Sequence, residues 1–172
     1  MPVEEVFIGI GSNIGDSQHI VMQAIDCLAH LSNTRLKAQS SLYKTEPVSD
    51  IPQDDFINAV VSIETSLSPI ALLLELQAIE HAFYRTRDVE LKWAPRTLDL
   101  DIILFGSRNI NDSHLTVPHA ELQNRLFVLV PLYEISGDRY IPGLGSLQYL
   151  IDHAPRMEIK TLSSGSNPAA SI

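Results

Sequence analysis

The sequence contains a single cysteine and no long apolar segment. Cys27 therefore cannot form an internal disulfide, which is typical of proteins in a reducing compartment. No apolar run approaches the roughly 20 residues needed to cross a bilayer, and residues 1–5 lack a signal-peptide pattern. These absences predict a cytoplasmic protein that does not enter a membrane.

Basic residues are also scarce, since 12 Lys and Arg stand against 21 Asp and Glu and give a net charge of −9. This balance argues against a nucleic-acid-binding protein, because such proteins need a basic surface. It does not exclude a phosphorylated small molecule, for which only the local field matters. Four of the basic residues fall close together, beside two aspartates: Arg85, Arg87, Lys92 and Arg96. The clustering favours a site for an anion and a divalent metal.

The composition is that of an ordinary globular protein, with 45% hydrophobic and 19% charged residues in a chain of 172. This length predicts one domain with a sizeable core, which we place at residues 1–160. Residues 161–172 are rich in Ser, Gly, Asn, Pro and Ala. We expect them to form a disordered tail.

Hydrophobic periodicity predicts four main strands and two helices in the order βαββαβ. The strands are predicted at residues 6–10, 36–45, 56–67 and 97–105, and the helices at residues 17–31 and after the Ser68-Pro69 start signal. This order implies an antiparallel sheet with helices on one face, a ferredoxin-like α+β sandwich with added strands and helices. The additions include a hairpin near residues 109–111, a helix or strand at 125–132 that Pro131 ends or kinks, and a short helix at 147–151. Cys27 has helical spacing with Ile20, Ala24 and Leu31, which predicts a buried thiol.

Two aspartates occupy alternate positions of the last main strand. Asp99 and Asp101 share a strand face and have Cα atoms roughly 7 Å apart, so their carboxylates can converge on one or two cations. Alternation puts Ile103 and Phe105 on that face, and Leu98, Leu100, Ile102 and Leu104 on the other. The strand is thus predicted to start in a cleft and end in the core. An exposed acidic strand end neutralised by Arg96 or Lys92 is the alternative.

Other polar residues allow two interpretations. Asn58, in an apolar strand, either bonds to neighbouring backbone or reads the edge of a planar heterocycle. Gln77, Glu80 and Tyr84 form a helical stripe that we expect to face solvent. Taken alone, His119 is a packed or capping residue, and Trp93 either covers the core or contacts a ligand from its loop.

Six separated blocks together resemble a known family, the hydroxymethyl-dihydropterin pyrophosphokinases of folate biosynthesis. They run in family order over about residues 6–135, and residues 95–102 (Pro-Arg-Thr-Leu-Asp-Leu-Asp-Ile) form the most specific block. The other blocks are residues 9–13, 43–47, 56–60, 117–119 and 127–132. The resemblance implies transfer of pyrophosphate from ATP, the co-substrate, to 6-hydroxymethyl-7,8-dihydropterin, with release of AMP.

The resemblance also implies roles for individual residues. Asp99 and Asp101 would hold two Mg²⁺ ions against the phosphates, and Arg85 and Arg96 would act beside them in catalysis. The pterin would contact Thr45, Pro47, Phe56, Asn58, Trp93 and Phe127, with the two phenylalanines on either side of its ring. The nucleotide would contact Gln77, Glu80, Arg87, His119 and Arg125. Arg85, Arg87, Trp93 and Arg96 match a family loop that closes over the reactants.

Two other function classes compete with the enzyme. One is a nucleotide-sensing ferredoxin-like module that binds without turnover, and it would not require the paired aspartates. The other is an RNA-binding module of similar topology, which the net charge and the missing aromatic RNP pattern disfavour. We expect a monomer with small-molecule ligands and no nucleic-acid or membrane partner.

Overall fold

The computed structural model describes residues 2–13, 15–46, 55–85 and 98–162. The first part of the fold consists of β1 (Glu4–Ser12), α1 (Ser17–Ala29), β2 (Thr34–Gln39), β3 (Tyr43–Thr45), β4 (Phe56–Thr65), α2 (Pro69–Arg85) and β5 (Leu98–Phe105). The second part consists of β6 (Ile110–Asn111), β7 (Thr116–Val117), a 3₁₀ turn (Leu122–Asn124), α3 (Leu126–Ser136), β8 (Tyr140–Ile141), β9 (Gly145–Ser146), α4 (Leu147–His153) and β10 (Ile159–Thr161). None of the helices described is long and apolar enough to span a membrane.

The main sheet is antiparallel and has the strand order β10-β3-β4-β1-β5, with β2 also paired to β4. β2 and β3 lie one after the other along the same edge of β4. Together with α1 and α2 they complete the βαββαβ order, so the ferredoxin-like prediction is confirmed. The strand predicted at residues 36–45 is split because the Ser40 hydroxyl accepts the Val60 N–H at 2.9 Å, where a backbone carbonyl would accept it in a regular ladder.

Helices cover both faces of the sheet, rather than the one face predicted. One core cluster joins the sheet to α1 and α2 through residues such as Val21, Leu28 and Leu72, and the other joins it to α3 and α4 through Leu129 and Leu147. Residues 126–136 are helical throughout, so Pro131 does not end this helix. The βαββαβ unit therefore has its second face covered by the C-terminal additions.

A β-bulge changes the side-chain alternation in β5. The register with β1 pairs Ile8 with Ile102 but Phe7 with Leu104, which leaves Ile103 as the extra residue. Leu104 consequently packs in the α3–α4 cluster and Phe105 in the α1–α2 cluster. Strict alternation had predicted the opposite faces for Leu104 and Phe105. The aspartates precede the bulge and keep their predicted face.

Two further predictions need correction. Cys27 is exposed because the buried side of α1 is formed by Val21, Ile25 and Leu28, which leaves Cys27 on its flank. Thr161 pairs with Tyr43 in β10, and the Leu162 N–H donates to the Leu42 carbonyl at 2.8 Å. The sheet thus includes the first residue of the predicted tail, and the second is hydrogen-bonded beside it. Residues 163–172 lie outside the described residues.

A carboxylate on α3 bonds to the segment between β2 and β3. Glu134 accepts the Ser41 N–H at 3.0 Å, the Ser41 hydroxyl at 2.8 Å and the Tyr43 hydroxyl at 2.6 Å. Burial and the Glu134 charge raise the pKa of Tyr43, which therefore keeps its proton for this bond at neutral pH. Glu134 thus connects α3 to β3, the strand that carries Thr45.

Glu134→Ala is expected to lower the free energy of unfolding by about 2 kcal/mol, because three hydrogen bonds to a charged acceptor are lost and water replaces them only in part. Urea unfolding measures the change. Glu158→Ala is the matched control. The Glu158 side chain is 72% exposed, and its carboxylate lies 3.7 Å from Lys160 Nζ, an exposed ion pair of the kind that contributes little to stability. Equal stability of the two variants would contradict the structural role of Glu134.

Candidate active site

A cavity of about 250 Å³ lies between the sheet and the start of α3. It brings together residues that are far apart in sequence, from β1, β3, β4, β5, α3 and the segment before β10. Its lining includes Gly9, Gly11, Thr45, Phe56, Asn58, Asp99, Asp101, Arg125, Phe127 and Met157. Most of the site residues predicted within the described chain therefore border one space.

Two glycines of β1 form part of the cavity wall. Gly9 and Gly11 stand opposite Asp101 and Asp99 in the sheet register, and a Cβ on Gly11 would lie 3.0 Å from Asn58 Oδ1. The strand predicted at residues 6–10 is longer, because β1 continues through Gly11 to Ser12. The signal for this cavity wall in the sequence was the pair of glycines at alternate strand positions, because glycine within a strand often marks a place where another group approaches the strand backbone closely.

The polar centre of the cavity is Asn58, which is 5% exposed. Its Nδ2 donates to Thr45 Oγ1 at 3.0 Å, across the pairing of β3 with β4. This donor atom is thus bonded to a side chain of the adjacent strand. The arrangement fixes the amide plane and leaves Oδ1 on the side of Gly11.

Aromatic and sulfur side chains form the apolar part of the lining. Phe56 comes from the start of β4 and Phe127 from the first turn of α3, and both are partly buried. Met157 also borders the cavity, because Ile159, two residues later, pairs with Thr45. No sequence pattern indicated Met157, because its position depends on a strand pairing between distant segments.

The acidic end of the cavity carries Asp99 and Asp101. Arg125 Nη1 and His119 Nε2 lie 3.7 Å and 3.9 Å from Asp101 Oδ2. The Glu121 N–H donates to His119 Nδ1 at 3.1 Å, so a neutral His119 ring carries its proton on Nε2, towards Asp101. Burial lowers the pKa of His119, the Asp101 charge opposes this shift, and Arg125 reinforces it.

Two side chains of α2 bond to the outer edge of β5, although we had expected them to face solvent. Glu80 Oε2 accepts the Leu100 N–H at 2.8 Å. The Tyr84 hydroxyl accepts the Leu98 N–H at 3.1 Å and donates to the Leu98 carbonyl at 3.3 Å. Burial raises the pKa of Glu80, the Leu100 N–H opposes this shift, and the charges of Asp99 and Asp101 add to it. Gln77 is exposed, as expected for the stripe.

Several predicted site residues cannot be placed. Pro47, Arg87, Trp93 and Arg96 lie outside the described residues, and so does the side chain of Arg85, the last residue of α2. Lys92, the other member of the basic cluster, also lies outside them. Their roles stay predictions.

Residues 7–137 match the family of 7,8-dihydro-6-hydroxymethylpterin-pyrophosphokinase (HPPK). The chain belongs to this family. The resemblance seen in the sequence motifs is therefore confirmed, and this member of the HPPK family is an enzyme of folate biosynthesis. Family membership favours the enzyme over the nucleotide-sensing and RNA-binding modules considered above.

Two curated relatives match this HPPK chain over most of its length. It is 45% identical over 136 residues to the 2-amino-4-hydroxy-6-hydroxymethyldihydropteridine pyrophosphokinase of Haemophilus influenzae, covering 79% of this chain and 84% of that protein. It is 39% identical over 160 residues to the protein of the same name from Pseudomonas aeruginosa, covering 93% and 98%.

A solved structure supports the fold of this HPPK chain. The crystal structure of Plasmodium falciparum HPPK-DHPS A437G with STZ-DHP aligns with a TM-score of 0.68 at 13% sequence identity. The alignment covers 88% of this chain and 45% of that one. This chain therefore spans less than half of that protein, and at this identity the likeness concerns the fold alone.

Proposed function

We propose that the cavity binds 6-hydroxymethyl-7,8-dihydropterin and that its acidic end binds ATP with two Mg²⁺ ions, so that pyrophosphate passes from ATP to the hydroxymethyl group. The observation that carries this proposal is that Asp99 and Asp101 line the same cavity as Asn58, Phe56 and Phe127. A planar ring bound at Asn58 would thus have its substituent close to groups that bind metal and phosphate.

The apolar and amide parts of the cavity suit a pterin. Flat rings stack well on phenyl faces, which Phe56 and Phe127 supply from two elements. A buried amide discriminates by hydrogen bonding, because a ring with the wrong edge leaves the polar atoms of Asn58 unpaired. Thr45 supports this role by holding the amide plane.

The acidic end suits magnesium. Among the residues described, no group of three or more His, Cys, Asp or Glu side chains could enclose a metal ion. Asp99 and Asp101 are hard oxygen donors, and Mg²⁺ in phosphoryl-transfer sites is typically bound by one or two carboxylates together with substrate phosphates. Asp99 and Asp101 would hold the two ions, whose chemistry would be to neutralise phosphate charge and to polarise the β-phosphoryl group.

Residues around Asp101 would contact the nucleotide. Arg125 and His119 already lie near its carboxylate, and both can donate to phosphate oxygens. We assign Gln77 and Glu80 to the same nucleotide site, with Glu80 using its second oxygen because Oε2 is bonded to Leu100. Arg85, Arg87, Arg96 and Trp93 are assigned by family resemblance, the arginines to phosphate charge and Trp93 to the covering of the pterin.

The proposed reaction requires little covalent chemistry from the protein. The hydroxymethyl oxygen attacks the β-phosphorus, the bond from this phosphorus to the oxygen bridging to the α-phosphorus breaks, and AMP leaves with that oxygen. The hydroxyl proton passes to water. Asn58 and the two phenylalanines orient the acceptor, while the aspartates and cationic side chains stabilise the charge that develops on the phosphates.

Incubation with ATP, Mg²⁺ and 6-hydroxymethyl-7,8-dihydropterin, followed by chromatography of the nucleotides, tests the proposal. We expect AMP and the pterin pyrophosphate in equal amounts. ADP as the product would indicate an ordinary kinase, and unchanged ATP would favour a sensor.

We further propose a cytoplasmic monomer, which the acidic composition and the single cysteine support. Light scattering after size-exclusion chromatography measures the oligomeric state.

Gly11→Ala is expected to raise KM for the pterin about tenfold and to leave KM for ATP unchanged. The added Cβ would stand 3.0 Å from Asn58 Oδ1, so the amide must shift by a few tenths of an ångström from its position against the ring, and small misplacements of this kind are costly. Steady-state kinetics with each substrate varied measures the effect.

An Asn58→Ala background provides the control for Gly11→Ala. This background has no amide to displace. Gly11→Ala is therefore expected to raise KM for the pterin little further, because both substitutions act on the Asn58 amide. A full additional tenfold loss in the double variant would show that Gly11 acts by another route.

A further inference from the structure

The outer edge of β5 lies beside α2. Within the part of the chain that the structure describes, β5 is the last strand in the order of the main sheet and pairs with β1 alone. In an antiparallel strand, alternate residues direct their backbone donors and acceptors to opposite edges. Leu98 and Leu100 direct theirs to α2, where Tyr84 and Glu80 bond to them.

Tyr84 and Glu80 are four residues apart and therefore share one face of α2. Their bonds fall on the two residues that flank Asp99. The Tyr84 hydroxyl bonds to both backbone groups of Leu98, the first residue of β5. The helix thus takes the place of a neighbouring strand at the point where the carboxylate strand begins.

Water could satisfy the same backbone groups, since exposed strand edges are commonly hydrated. What a protein donor and acceptor add is a fixed position for the Leu98 backbone. Asp99 follows Leu98 directly, so its side-chain direction depends on how firmly Leu98 is held. Groups that orient metal ligands typically affect metal affinity by about 10–100-fold.

We propose that Tyr84 is a positioning residue for metal binding, because its hydroxyl holds Leu98 and so fixes the orientation of the Asp99 carboxylate. The inference rests on the proposed metal role of Asp99. It also explains why a polar stripe residue of α2 is half-buried rather than solvated.

The test is Tyr84→Phe, which removes the hydroxyl and keeps the ring. Mn²⁺ binding is measured by electron paramagnetic resonance in the presence of an ATP analogue with a methylene group between the α- and β-phosphorus atoms. We expect about tenfold weaker Mn²⁺ binding, with pterin affinity and the unfolding temperature little changed. Tyr43→Phe is the matched control, since it removes a hydroxyl bonded to Glu134 and is expected to leave Mn²⁺ affinity as in the wild type.

Asp99→Asn separates this inference from the proposal on which it rests. If Asp99→Asn weakens Mn²⁺ binding but Tyr84→Phe does not, the positioning role is refuted and the metal role stands. If Asp99→Asn binds Mn²⁺ as the wild type does, both are refuted. In the Tyr84→Phe, Asp99→Asn double variant we expect no loss of Mn²⁺ affinity beyond that of Asp99→Asn. A further tenfold loss would mean that Tyr84 acts independently of Asp99.

Discussion

Asp101→Asn is expected to lower kcat by about 10³-fold or more, equivalent to about 4 kcal/mol of transition-state stabilisation. Asparagine keeps the size of the side chain and removes its charge, so the loss reports electrostatics and not packing. Without that charge, the nearby Arg125 and His119 have no anionic partner at Asp101, and Mg²⁺ loses one of two proposed carboxylate ligands. Pterin affinity should stay near the wild-type value, because Asn58 and the phenylalanines are unchanged.

Single-turnover kinetics and fluorescence titration with the pterin measure these two quantities separately. Asp26→Asn is the matched control, since it makes the same change on a carboxylate of α1 whose side chain is 76% exposed, and full activity is expected of it. Retention of activity in Asp101→Asn, or parallel loss of pterin binding and turnover, would contradict the division of the cavity into a pterin part and a metal part.

The order of helices and strands could be predicted because each element has an uninterrupted pattern of its own. Alternation in β5 and the Ser68-Pro69 start of α2 are local signals. The bulge at Ile103 and the split at Ser40 were missed because each depends on a hydrogen-bonding partner in another strand. The placement of α3 and α4 on the second sheet face likewise depends on tertiary packing, which periodicity does not report.

The residues of the candidate site were likewise predictable only in part. Asn58, Asp99 and Phe127 were found because they lie within specific sequence blocks, and the fold brings them to one cavity. Tyr84 was misread, since helical spacing shows which residues share a face but not what that face contacts. Met157 belongs to no block, and only the pairing of β10 with β3 places it beside the cavity.

Asn58→Asp is expected to raise KM for the pterin about 10²-fold, a loss of about 2.7 kcal/mol, with ATP affinity unchanged. The substitution is nearly isosteric, and the Thr45 hydroxyl can still bond to the introduced group by donating to it. What is lost is the amide donor towards the substrate, and a negative charge is added at a position only 5% exposed.

The pH dependence gives this prediction a second test. Burial favours the neutral form of a carboxyl group and raises its pKa, and the protonated form regains one hydrogen-bond donor. The defect of Asn58→Asp relative to the wild type should therefore shrink as pH falls from 8 towards about 5. Stopped-flow binding of the pterin across this range measures the ratio of affinities. A ratio that stays constant with pH would mean that the amide donor is not the feature that recognises the ring, and that Asn58 acts only by holding Thr45 in place.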